Sequence, residues 1–253
     1  MPTLGYVVAF VLGSITASFA NVCIHRLPLR QSIVYPASRC TSCQHPLHSW
    51  HNLPLVSFIA LRGRCAFCQE RIAWRYPLVE SLGGLLYLMG YHQLGLSVHA
   101  FAYALLVTAL LIVSFIDLAH LIIPDTVTLP GIGLGLAIGF LPSSTGFANA
   151  VAGACLGGGI FLLIMLLYPA GMGGGDVKLI AMIGAFVGWQ AVLVTIILSA
   201  FCGAVSGSTL ILLGLRGRRD PVPFGPFLAV GGIAAMLWGE ALLAWYGRWT
   251  LSF

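Results

Sequence analysis

Charge is what this sequence has least of. Only 8% of its 253 residues are Asp, Glu, Lys or Arg, where a soluble globular domain carries about 25%. It has a single lysine, Lys178, and seven acids in all. With 59% hydrophobic residues and a mean hydropathy of +0.97, that shortage excludes an ordinary soluble domain and indicates an all-α polytopic membrane protein. The net charge of +5 carries no nucleic-acid signal, and no nucleic-acid partner is expected. Common catalytic signatures are missing as well: there is no G-x-S-x-G, no H-E-x-x-H and no P-loop, which removes the usual serine hydrolases, zincins and nucleotide hydrolases. A cleaved signal peptide is not expected, because no basic region precedes the Leu4–Val22 apolar run and no small-residue cleavage site follows it.

What is present is a series of apolar segments. A spanning helix needs about 20 mostly apolar residues. Candidates are Leu4–Ile24, Pro77–Tyr91, His99–Ile116, Val127–Leu141, Ala148–Tyr168, Leu179–Gly188, Ala191–Leu215 and Pro226–Trp245. That gives about eight transmembrane helices, with Leu179–Gly188 so short that its helix is expected to begin in the preceding glycine loop or to span only partly. The division expected is a first helix (1–24), a small polar domain (25–76) and a helical bundle (77–253). Arginine placement sets the orientation. With the N-terminus outside, the inner loops hold 11 of the 12 Lys/Arg residues, and only Arg248 remains in the outer tail. The polar domain, Asp117, Asp125 and Asp176 then face the cytoplasm.

The polar domain contains Cys40-x2-Cys43, 21 residues, then Cys65-x2-Cys68. Each pair suits a tight knuckle, and two knuckles make a closed four-thiolate site for structural zinc. Disulfides compete with that reading, but a cytoplasmic position keeps thiols reduced. Catalytic zinc is disfavoured, because four Cys ligands leave no open position. His45, His48 and His51 lie between the knuckles and are read as polar loop residues before ligands. A domain of this size needs such a staple. Cys23, Cys155 and Cys202 read as ordinary buried thiols.

The acids can be weighed one by one. Asp117 ends the third apolar segment and Asp176 opens the sixth, after Gly171-Met172-Gly173-Gly174-Gly175. Acids this close to hydrocarbon are costly and mark function by default. Two carboxylates sharing a site do not both ionise easily, so one holds a proton while the other activates water. Against this stand a helix N-cap for Asp176 and a salt bridge for either. Gly173 and Gly175 are read as supporting residues that let an extended strand approach the backbone. Lys178 either tunes Asp176 or marks the inner interface. Asp125 reads as a helix cap, and Glu240 and Asp220 as structural and loop acids. Glu80, at the start of the second span, is either an interfacial helix residue or part of a second activity.

Taken in order, Ala17-Ser18-Phe19-Ala20-Asn21-Val22-Cys23-Ile24-His25-Arg26-Leu27-Pro28, the double C-x2-C domain, Arg75-Tyr76-Pro77-Leu78-Val79-Glu80, Asp117 with Ile123-Pro124-Asp125, Gly173-Gly174-Gly175-Asp176-Val177-Lys178-Leu179 and Pro223-Phe224-Gly225-Pro226-Phe227 resemble the bacterial type IV prepilin peptidases. These belong to the GxGD intramembrane aspartyl proteases, together with presenilin. The resemblance implies that Asp117 and Asp176 are the catalytic aspartates of a bacterial inner-membrane enzyme. Such enzymes cut the basic leader from prepilins or pseudopilins at the cytoplasmic face. Many then methylate the new N-terminus with S-adenosylmethionine, for which Glu80 is the candidate residue here. Two positions depart from the pattern: Ala17 replaces an expected Gly, and Ala119 stands where many members carry a second acid. The seven arginines of the polar domain would repel a basic leader, and holding the domain on anionic membrane lipid is the use expected of them. Two other classes stay open on the residues alone: an ion- or proton-coupled transporter with a zinc-binding regulatory domain, and a non-enzymatic assembly factor.

Overall fold

The computed structural model describes residues 2–47, 49–169, 171–215, 217 and 220–250. Among them there are helices and turns but no strand longer than an isolated bridge. Among the described residues, five helices are long and apolar enough to cross a membrane. The chain divides into two compact units, residues 1–95 and 96–253.

In the first unit, α1 (Pro2–Arg26) lies against α3 (Arg75–Leu94). Small residues allow this: a Cβ on Gly83 would collide with Ala17, and one on Gly13 would collide with the Gly83 carbonyl. Such close backbone approach is how helices associate in lipid, where burial from water gives no drive. At the end of α1 the Asn21 amide donates to the Tyr76 carbonyl (3.1 Å). Among the described residues of the polar domain between these helices, the helical elements are a 3-10 turn (Ser49–Asn52) and the short α2 (Val56–Ala60).

The second unit is built on α4 (Val98–His120), α5 (Asp125–Ile138), α6 (Phe147–Leu167), α7 (Gly174–Leu212) and α8 (Gly225–Thr250). Ser97 caps α4, its hydroxyl accepting from the Ala100 N–H (3.1 Å). The helix ends where Leu121 turns left-handed (φ 55°) and its N–H donates to the Asp117 carbonyl (2.9 Å). Leu106, Leu110 and Val113 of α4 meet Leu179, Ile183 and Phe186 of α7, with Phe161 and Leu228, in the core. Leucines such as Leu163, Leu166 and Leu167 face outward, as lipid-facing residues do.

The expected sixth and seventh segments form one helical run, α7, with a break at Gly188 (φ 82°, ψ 177°). The break is a reversal. Gly157 is approached by both Ile180 and Val192, which a straight helix would separate by about 18 Å along its axis. Only glycine takes that backbone readily. Asn149 secures the corner, its Oδ1 accepting from the Trp189 N–H (3.1 Å), while the Thr145 hydroxyl donates to the Phe186 carbonyl (3.0 Å). The sixth segment therefore begins inside the glycine loop, at Gly174, the first of the two arrangements expected from its shortness.

Where α6 crosses the first half of α7, a Cβ on Gly153 would fall on the Gly184 carbonyl, and one on Gly184 on the Gly153 carbonyl. Gly153→Val is expected to lower stability by about 1–3 kcal/mol or more, read from the thermal transition in detergent. An unchanged transition would show that the two helices do not meet there.

One expectation about thiols needs correction. Cys23 is buried, but Cys155 is exposed and Cys202 only partly covered. An apolar thiol in a spanning helix is sheltered equally by lipid, so it does not need protein around it.

Candidate active site and metal centre

Asp117 and Asp176 reach one region from different helices. Asp117 lies in the last turn of α4 and is buried. The Gly225 N–H, at the start of α8, donates to its Oδ2 (2.8 Å). Asp176 lies in the first turn of α7, where the free N–H groups favour an anion, and its Oδ2 accepts from the Gly173 N–H (3.2 Å). The cap reading of Asp176 is thus half met: it bonds the cap residue's backbone without being the cap. The two carboxylates are near enough for the charge of Asp117 to act on Asp176. Each acid keeps one oxygen tied to a glycine N–H.

Three glycines give this region its shape. A Cβ on Gly225 would stand 2.9 Å from Asp117 Oδ2, and one on Gly175 would stand 2.8 Å from Ile123 Cβ, while the Gly173 N–H holds Asp176. Sequence reasoning assigned Gly225 no role. Its signal was a glycine between Phe224 and Pro226, a place where only a backbone group is available to bond.

Lys178 does not pair with Asp176. Its Nζ lies 2.7 Å from both carboxylate oxygens of Asp125. That also corrects the cap reading of Asp125: Pro124 occupies the cap position of α5 and Asp125 follows it without a capping bond. The reason is reach, since a side chain two residues after Asp176 points to a different face of α7, the one turned to α5. Both partners are well exposed, so a double-mutant cycle with Lys178→Met and Asp125→Asn should give a coupling below about 1 kcal/mol in thermal unfolding. A larger coupling would mean the pair is shielded from water.

In the first unit the sulfurs of Cys40, Cys43, Cys65 and Cys68 lie within 4.8 Å of one another. Cys40 Sγ and Cys68 Sγ are 3.8 Å apart, the edge of a tetrahedron about a metal bonded at roughly 2.3 Å to each sulfur. All seven cysteines are free thiols, so the disulfide alternative falls. The two knuckles have the same backbone. Gln44 N–H donates to the Cys40 carbonyl (3.0 Å) and Gln69 N–H to the Cys65 carbonyl (3.1 Å), with Gln44 (φ 58°) and Gln69 (φ 60°) both left-handed. Bridges Arg39–Pro46 and Arg64–Arg71 close them. The Cys68 and Phe67 N–H groups pull the Cys65 thiol down to about 7. This donor set fits a bound metal ion. His45 and His51 instead set their rings against Phe67 (3.7 and 5.7 Å between centroids), and neither belongs to the sulfur cluster. His48 lies outside the described residues.

Glu80, in the second turn of α3, is buried, and its Oε2 accepts from the Leu55 N–H (2.9 Å). It faces a cavity of about 1260 Å³ within the first unit, between the end of α1, the knuckles and the start of α3.

Comparison with known proteins agrees with the order of these parts. Residues 11–94 match the Bacterial Peptidase A24 N-terminal domain, and residues 104–208 match the Type IV leader peptidase family. A Stutzerimonas stutzeri protein named prepilin leader peptidase/N-methyltransferase is 38% identical, over 94% of this chain and 92% of its own. Proteins of the same name from Aeromonas salmonicida (37% identical, 97% and 95%) and Pseudomonas aeruginosa (38%, 97% and 98%) are similar over nearly their whole lengths. No solved structure matches.

Proposed function

The chain belongs to the type IV leader peptidase family, and from that premise we propose that it is a membrane aspartyl endopeptidase removing the basic leader of type IV prepilins or pseudopilins. Asp117 and Asp176 are its acid pair. The observation that carries this reading is the convergence of two acids from separate helices, each with one oxygen anchored by a glycine N–H. One carboxylate takes a proton from water as that water attacks the scissile carbonyl; the other gives its proton to the carbonyl oxygen and later to the leaving amine. The proton bookkeeping belongs to the pair.

The protein is a multi-pass protein of the bacterial inner membrane. The arginine bias supports a topology with the N-terminus outside and the acids and knuckles in the cytoplasm, the side where a basic leader waits. Four converging thiolates support structural zinc as the metal. The seven arginines of the polar domain are suited to anionic lipid. The second activity is N-methylation of the cleaved product, with S-adenosylmethionine as methyl donor.

The test is direct. Purified protein given a prepilin-like peptide with a basic leader should release that leader by a cut after glycine, seen by mass spectrometry. Passage of the peptide or of ions across a vesicle, with no cut, would favour the transporter and overturn the reading.

A further inference from the structure

We propose that a groove on the polar domain, bordered by Arg62, Arg64 and Arg71, binds the phosphate of an anionic membrane phospholipid. The inference rests on the lipid reading of the seven arginines above and names the three that hold a headgroup. The groove has a volume of about 600 Å³ and is lined besides by Phe58, Ile59 and Trp74. The local backbone builds it. Arg64 and Arg71 face each other in an antiparallel bridge, and the Ile72 N–H donates to the Gly63 carbonyl (2.8 Å). Gly63 is left-handed (φ 67°), and a Cβ there would stand 3.0 Å from the Phe58 ring. That ring lies 5.1 Å from the Trp74 ring between centroids. Like charges directly opposite one another destabilise a strand pair, so the two arginines call for an anion between them. The chain does not supply it. Among the first unit's described residues none of the three arginines is paired with an acid, and all three are exposed. The polar domain has one acid, Glu70, which borders the larger cavity and not this groove.

Position selects a lipid over other anions. Helix α1 is long and apolar enough to cross the membrane as far as Arg26. The Asn21 amide, about 7 Å before that end along the axis, bonds the Tyr76 carbonyl. Trp74, two residues earlier, therefore stands at the level where the bilayer meets water, the place tryptophan favours. Trp74 is 76% exposed and Ile59 74%, so the groove carries outward apolar surface beside its charge. A phospholipid matches both features. Guanidinium groups bind phosphate oxygens in pairs of parallel hydrogen bonds, while Ile59 and Trp74 meet the glycerol and the first methylenes of the acyl chains. The anionic cytoplasmic leaflet draws basic residues to its surface. An occupied groove would also neutralise three of the seven arginines that otherwise repel a basic leader.

The experiment reconstitutes the full-length, metal-loaded protein in phosphatidylcholine nanodiscs containing a little phosphatidylglycerol with a photoreactive headgroup. After irradiation, peptide mapping should place the label within residues 56–74. Unlabelled phosphatidylglycerol should displace it, and millimolar inorganic phosphate should not. Replacing Arg62, Arg64 and Arg71 together by Gln should cut labelling on the order of a hundredfold, the worth of three basic residues at an anionic surface. Arg30→Gln with Arg39→Gln, two exposed arginines of the same domain outside the groove, should leave it unchanged. Equal loss per arginine in both variants would mean diffuse attraction, and displacement by inorganic phosphate a free-anion site; either overturns the groove. So does binding of a polyglutamate peptide with no lipid label, which would assign it to an acidic protein. If the triple variant loses its metal, the mapping on the unaltered protein decides. Label elsewhere in residues 25–76 removes only this groove, whereas no label anywhere in that segment sinks the lipid reading itself. Both leaflets of the disc hold the same lipid, so the result does not depend on which side the domain faces.

Discussion

Asp117→Asn and Asp176→Asn are each expected to slow leader cleavage on the order of 10³-fold, the usual worth of a positioned acid or base. Asparagine keeps the size of the side chain and an oxygen able to accept from the Gly225 or Gly173 N–H, so the fold should stay and only the proton chemistry go. The double variant should be hardly slower than either single one, because groups acting as a unit do not lose their contributions additively. Asp125→Asn is the comparison: it removes an acid from the same end of the bundle, but one whose charge is taken by Lys178. Steady-state rates on a prepilin-like peptide, beside thermal transitions for folding, give the answer. A single variant that cleaves within about tenfold of the normal rate would exclude the acid pair as the catalytic machinery.

Most of the helical layout is readable from hydropathy alone. Each of the eight apolar segments lies largely within a helix, because an apolar run in lipid has no other way to satisfy its backbone. What hydropathy does not give is the hand-off between segments. The reversal at Gly188 depends on a side chain 39 residues earlier, Asn149, that meets the broken backbone at Trp189, and no local pattern reports such a partner. The association of α1 with α3 is likewise invisible to composition, since it rests on Gly13 meeting Gly83 across about seventy residues of sequence.

The site divides in the same way. The thiols of Cys40, Cys43, Cys65 and Cys68 could be read from spacing, because each knuckle is a local turn closed by hydrogen bonds between residues no more than nine apart. The prominence of Asp117 and Asp176 was legible from rarity, an acid at hydrocarbon being costly. The ties that hold them were not. Gly225 donates to Asp117 across 108 positions through a backbone N–H, which every residue but proline has. Lys178 shows the opposite failure: nearness in sequence to Asp176 invites a pairing, but helix geometry turns it to Asp125.

Cys40→Ser or Cys65→Ser should cost the protein its metal and the fold of residues 27–74. The reason is the poverty of that segment's interior. Between Ile24 and Val79 the one buried hydrophobic residue among those described is Cys65, so the sulfur cluster takes the place of a core. Structural zinc sites stabilise small domains by about 10–16 kcal/mol in peptide systems, far more than this segment's apolar contacts could replace. Metal analysis should fall from one ion per chain towards none, and limited proteolysis should open 27–74 while the apolar helices resist. Acid should act in the same direction. Thiolates bind the metal and protons compete for them, so loading is lost as pH falls through the range where Cys65, at about 7, regains its proton. Full metal content and unchanged proteolysis in Cys65→Ser would remove the cluster from its structural role.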